Sequence, residues 1–417
     1  MWGQFLLRLA GSSGVFVLGG YLSDLHDRGL AVTSLAVGLV TALHYVSEIV
    51  FAPFVSALSD QRGRRPFLVA GPLLSALAVG LIALGALGGA RPSLTAVLLL
   101  TGASRLLEGL GSAAVVPTTL GLLAEGTDNH PVQRGRQMSL IELTSSGGIA
   151  LGATLGPLLW QRLHLLAFPG LSLVYLCASL VMMRVRDIQR RPAERGALPD
   201  LRRVATLLTD RRLTFFLPAW VAMSAIVGVW LTAQLSFVLT ARVHVRGQQF
   251  VGLLHAHPGR LGLVLGGYVL LFSLFVVVWA ALLGRLPRLR TLLVTASGAL
   301  PASSALLALN HGGSLLAFMP LLLVGVFLEA GFTPAALAYL ADVSETPGHG
   351  RGRLMGVYAL ILGLGQLAGA GLGSLAAQYA YFDGLATLTI LLALVAVLSL
   401  AFLMASVRRT GDAPDPA

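Results

Sequence analysis

Among the ionisable residues inside long apolar runs, where each needs a physical reason, six could carry chemistry: Glu48 with His44 four positions before it, Arg105 with Glu108 three positions after it, and the lone carboxylates Glu142 and Glu329. On a helix, spacings of three and four put both members on one face. His44 and Glu48 can then share a proton, and Arg105 and Glu108 can pair as ions. Glu329 has no basic residue within a turn, and a carboxyl group held away from water without a cation can take up and release a proton. The chemistry on offer is proton transfer. No H-E-x-x-H sequence and no nucleophile elbow occurs, so neither an enzyme nor a cofactor is expected. His255 and His257 form an H-x-H without further ligands nearby in sequence, so no metal site is expected and the pair reads as a solvated loop.

The elements that must hold these residues are apolar. The 417 residues are 56% hydrophobic and 11% charged, against about 25% charged in soluble domains. Mean hydropathy is +0.81. Apolar runs lie near 4–23, 33–58, 67–88, 93–123, 138–160, 166–183, 214–240, 262–283, 291–309, 314–340, 354–378 and 384–406. Each is about the length a helix needs to cross a bilayer, and none alternates as a barrel strand would. An all-α membrane protein of twelve transmembrane helices is expected.

The formal net charge of +11 is not a nucleic-acid footprint. With a cytoplasmic N-terminus, only Arg28, Arg91, Arg162, Arg242, Arg246 and Arg260 fall in outer loops, and Arg8 and Arg105 in spans. All other arginines then face the cytoplasm, which is the positive-inside asymmetry of an inner-membrane protein with both termini inside. Arg8 reads as snorkelling to the cytoplasm. The N-terminus lacks a basic region and cleavage site, so the first span is expected to be retained. Without lysine the chain cannot build a Walker phosphate loop. Cys177 stands alone and reads as a core residue.

An arginine- and proline-rich stretch splits the runs six and six, predicting bundles at 1–184 and 213–408, a cytoplasmic linker at 185–212 and a tail at 409–417. The second half repeats the first at an offset of 217. Pro117, Glu125, Arg134, Arg136, Gly148, Gly152 and Gly156 fall on Pro334, Asp342, Arg351, Arg353, Gly365, Gly369 and Gly373. Two like-oriented repeats imply a pseudo-twofold axis along the membrane normal.

Between the second and third runs, SALSDQRGRRPFL (56–68) resembles a signature of the major facilitator superfamily at Leu58, Asp60, Gly63, Arg64, Arg65 and Leu68, with Ser56 in place of glycine and Gln61 in place of a base. RLLEGLGSAA (105–114) and GIALGATLGP (148–157) are similar to that family's fourth- and fifth-span motifs, the latter ending at Pro157. The resemblance implies a carrier of the drug/proton antiporter type. It also implies that Asp60 latches a cytoplasmic gate near Arg351 or Arg353. At the same face Arg64 and Arg65 are expected to meet water and lipid headgroups, and Glu125 and Asp342, close in sequence to Arg134/Arg136 and Arg351/Arg353, are expected to complete paired gate networks. The glycine runs become close-packed helix contacts. Spans one, four, seven and ten would line the cavity, which raises Glu329, Arg105 and Glu108; Gln234, Tyr339 and Gln366 are further polar candidates.

Glu329 is the first choice for the proton carrier and Glu48 the second, Glu142 being shallower. The function expected is proton-coupled efflux of a small molecule by a monomer in contact with membrane lipid. Uptake symport of a sugar, peptide or organic acid is the alternative, with an intramembrane enzyme or sensor more remote.

Overall fold

The computed structural model describes residues 1–87, 93–126, 131–185, 211–283, 286–344 and 351–410, without the side chains of 60, 86–87, 120–121, 123–126, 131–143, 211, 341–342, 344, 351–359 and 408–410. Regular structure among the described residues is helical throughout. Helices α1 (Trp2–Asp27), α2 (Ser34–Arg62), α3 (Arg65–Leu87), α4 (Leu94–Gly126), α5 (Pro131–Leu163) and α6 (Ala167–Met182) make the first half. The second half holds α7 (Arg211–Trp230), α8 (Ala233–Thr240), α9 (Gly259–Leu282), α10 (Arg288–Ala296), α11 (Ala299–Asn310), α12 (Leu315–Ala330), α13 (Phe332–Ser344) and α14 (Arg351–Thr410).

Local sequence accounts for the helix ends around the signature stretch. Thr33 caps α2, its Oγ1 accepting from the Ala36 N–H at 3.2 Å. Gly63 terminates the same helix at φ 97, a conformation that a Cβ would disfavour. Pro66 then sits in the first turn of α3, where a missing N–H costs nothing. Asp60 is thereby placed in the last turn of α2, two residues before Arg62 closes it.

Ten stretches among the described residues are long and apolar enough to cross a membrane, where twelve runs were expected. Eight match single runs. The other two, Thr144–Met182 with 39 residues and Leu360–Val407 with 48, each merge two expected runs. Both contain a break: His164 has φ 47 in a short 3-10 turn, and Tyr381 has φ 48 beside Ala380 at φ −137. Tyr381 lies 217 residues after His164, the offset of the sequence repeat. Leucines along these helices point outward, Leu84, Leu270 and Leu316 being 72%, 75% and 89% exposed. Water would penalise such a surface, and hydrocarbon accepts it.

The chain forms two compact units. The first comprises 1–199, 232–242 and 254–266; the second comprises 200–231, 243–253 and 267–417. In the first, α1 packs on α5 and α6, α2 on α4, and α3 on α4 and α6. In the second, α7 packs on α14, and α11 on α12 and α14. Its core gathers Leu213, Phe216, Trp220, Phe332 and Tyr339, whose aromatic rings meet at centroid distances of 4.9–5.9 Å.

The glycine runs are where helices approach most closely. A Cβ on Gly148, Gly152 or Gly156 of α5 would lie 2.7, 2.5 or 2.7 Å from the carbonyl oxygens of Phe5, Leu9 and Ser13 on α1. Ser12 and Ser13 hydroxyls donate across the same seam to the Ile149 and Gly152 carbonyls at 2.9 and 3.1 Å. In the second unit a Cβ on Gly365 would lie 2.8 Å from the Val221 carbonyl oxygen, and one on Gly369 would overlap that of Ala225. Small residues of this kind let backbones meet where lipid supplies no hydrophobic drive.

Candidate functional site

Four of the six candidate residues come together where α2 crosses α4. Gly109 admits the contact, since a Cβ there would overlap the His44 carbonyl oxygen, and the Ser47 hydroxyl donates to the Leu106 carbonyl at 2.7 Å. His44 Nε2 lies 3.6 Å from Glu48 Oε2, with 19% and 24% of the two side chains exposed. One turn away on α4, Arg105 pairs with Glu108, each only 2% exposed. Both spacings therefore do what one helical face permits.

Glu108 has a second partner that the sequence reading missed. The Tyr175 hydroxyl of α6 donates to its Oε1 at 2.5 Å. The available signal was a phenol in an otherwise apolar run, which must find an acceptor when buried. Gly11 and Gly14 of α1 close the fourth side: a Cβ there would come 3.3 Å from the Tyr175 oxygen and 3.9 Å from Arg105 Nη2. Sealed on all sides, the triad cannot exchange ions with water without the bundle opening. Tyr175→Phe, which leaves a buried carboxylate oxygen without its donor, is expected to destabilise the protein by about 1.5–3 kcal/mol, read as a lower melting temperature in detergent.

Arg8 is half-buried on α1. Its Nε is buried without an acceptor, and its charge is felt by His44, Tyr45 and Glu48 of α2. Glu142 lies on α5, but its side chain is outside the described set. The same holds for Asp60, Glu125, Arg134, Arg136, Asp342, Arg351 and Arg353 of the expected gate, all of them on described helices. Arg65 donates from Nη2 to the Met183 carbonyl at 2.7 Å, tying the start of α3 to the end of α6, and Arg64 precedes it at that turn.

Glu329 stands apart, in the second unit. It is half-buried near the end of α12, which stops at Ala330, turns at Gly331 and resumes as α13. Trp279 lies over the break. Its Nε1 donates to the Phe327 carbonyl at 2.6 Å, and a Cβ on Gly331 would come 2.5 Å from its ring. Tyr268 of α9 feels the carboxylate charge, and among the described residues no hydrogen bond or ion pair engages that carboxylate. An interrupted span with an acidic group at the break is a recurring arrangement for ion handling. Gln234 and Tyr339 are buried in α8 and α13, and the Gln366 backbone faces Gly228.

Beyond the spans, His255 of the H-x-H stretch is partly exposed and has an acidic neighbour, while His257 is exposed. Asp27 accepts from the Arg242 N–H at 2.7 Å and lies 3.3 Å from His255 Nδ1. In the second unit Asp383 accepts from Asn310 Nδ2 at 2.7 Å and lies 3.0 Å from His311 Nε2. His244, Gln248, Gln249 and His311 line a pocket of about 450 Å³ beside it.

Comparison with known proteins places this arrangement. The chain is similar to the quinolone resistance protein NorA of Staphylococcus aureus, 26% identical over 164 residues covering 39% of this chain and 38% of that one. It is similar to the multidrug resistance protein MdtH of Proteus mirabilis, 29% identical over 166 residues covering 40% and 38%. The chain thus matches 38% of the length of these curated relatives. Its fold superposes on the crystal structure of the nucleoside transporter NupG with a TM-score of 0.72 at 11% identity, covering 97% of this chain and 96% of that one. The model of the Major Facilitator Superfamily matches residues 1–256 and 249–417, and the chain belongs to that family.

Proposed function

We propose that this protein is a secondary active transporter that moves a small molecule across a membrane by alternating access. Its twelve spans form two six-helix repeats, 1–184 and 213–408, joined by the linker 185–212 and followed by the tail 409–417, with both termini cytoplasmic in an inner membrane. The observation that carries the reading is the family match, which runs through both repeats. Two relatives named for quinolone and multidrug resistance support export of a small amphipathic compound. The second reading is proton-coupled uptake symport of a sugar, peptide or organic acid.

Protons drive the cycle in this proposal, with Glu329 as first carrier and Glu48 as second. The support for Glu329 is its unengaged carboxylate at a helix break; Glu48 has a histidine 3.6 Å away that can share its proton. Asp60, Arg64, Arg65, Glu125, Arg134, Arg136, Asp342, Arg351 and Arg353 are assigned to a cytoplasmic gate. The test is transport by proteoliposomes under an imposed pH gradient across a panel of amphipathic compounds. Wild type is expected to be gradient-driven, and Glu329→Gln to lose about tenfold or more of that rate while retaining gradient-independent exchange. A variant still driven like wild type would remove Glu329 as carrier, and sensitivity of Glu48→Gln alone would transfer the role.

A further inference from the structure

Two arginines lie inside the spans, and only one is matched. Arg105 has Glu108 against it. Arg8 has no hydrogen-bonded or ion-paired partner among the described residues, and its Nε is buried without an acceptor. A guanidinium held in that way at membrane depth is costly, so its retention points to something that occupies it. Unmet hydrogen-bonding atoms surround it. Gln4, one turn earlier on α1 and 4% exposed, leaves its Oε1 without a donor, and His44 on α2 leaves Nδ1 without a partner. The site is also partly open: Arg8 is half-buried, and His44 and Glu48 are 19% and 24% exposed, whereas the neighbouring triad is closed at 2%.

The missing occupant can be described chemically. A cation is repelled by Arg8, the Arg105 charge being met by Glu108, and a neutral group would add no charge to meet that of Arg8. A planar acid group fits the guanidinium fork with two parallel hydrogen bonds. On α1 the partly exposed side chains of Phe5 and Leu9 flank Arg8 in sequence and offer apolar surface.

We propose that Arg8 anchors the acidic group of the transported molecule, a carboxylate carried on an apolar body and seated between α1 and α2, with His44 donating a flanking hydrogen bond from Nδ1 in its Nδ1–H tautomer. The purpose of this subsite rests on the transport reading; its existence does not. Equilibrium binding to the purified full chain in detergent tests it, with benzoate, 2-naphthoate and octanoate as probes, each beside its primary amide.

Saturable binding of at least one acid is expected, with its amide weaker by about tenfold or more. Arg8→Gln should weaken the acid by about ten- to a hundredfold and leave the amide unchanged, while Arg8→Lys retains part of the affinity. Glu48→Gln should strengthen the acid, because a competing negative charge is removed. Arg8→Met reports on folding: relief of an unmatched buried charge should keep or raise the melting temperature. Absence of acid binding, equal binding of acid and amide, undiminished binding by Arg8→Gln, or a clear fall in melting temperature for Arg8→Met would each overturn the proposal. Acid binding without any transport in proteoliposomes leaves the subsite standing and removes the transport reading.

Discussion

Arg105→Leu is expected to destabilise the protein by about 3–5 kcal/mol, the largest effect of any single charge change in the first unit. The reason is the companion left behind. Glu108 is 2% exposed and held by Arg105 and Tyr175, so without the guanidinium its carboxylate is buried with one hydroxyl for company. Replacing both members, Arg105→Leu with Glu108→Leu, should recover most of the loss, since taking two ions out of water costs about as much as their attraction returns. Melting of the single and double variants in detergent, analysed as a double-mutant cycle, checks this. A double variant as unstable as the sum of its singles would mean that the pair does not act as a unit.

The second large effect belongs to the glycine seams. Gly152→Val should cost at least about 3 kcal/mol or abolish folding, because its Cβ would sit 2.5 Å from the Leu9 carbonyl oxygen, and backbone cannot give way as a side-chain tip can. Gly369→Val should behave alike against Ala225 in the second unit. Gly371, two positions on in the same helix, has nothing within 4 Å of the place a methyl group would take, so Gly371→Ala should be neutral or gain up to about 1 kcal/mol from helix propensity. Yields of folded, monodisperse protein and melting temperatures for the three variants decide it. Tolerance of valine at both seam positions would show that α1 and α5, and α7 and α14, are less closely packed than their geometry indicates.

Much of the architecture was legible along the chain because a bilayer imposes it locally. A span must be apolar along its length and must close its own backbone hydrogen bonds, so eight apolar runs coincide with single stretches. Where two runs were joined in one stretch, the break is made by single residues, His164 and Tyr381, whose backbone carries no marker in their side chains. Pairings three and four apart, His44 with Glu48 and Arg105 with Glu108, could be predicted because a helix fixes them.

Tertiary structure decided everything that depends on which faces of different helices meet. Tyr175 reaches Glu108 across 67 positions, and His255 reaches Asp27 across a still longer separation. Neither contact has a local signature. Arg8 shows the difference most clearly: composition placed a charge in the first span, but only the tertiary structure brings that charge within reach of His44 and Glu48 on α2. The periodicity of one helix is a property of adjacent residues and can be read from them. The rotation of one helix against another is settled by side-chain packing and glycine contacts summed over whole faces, which no single stretch contains.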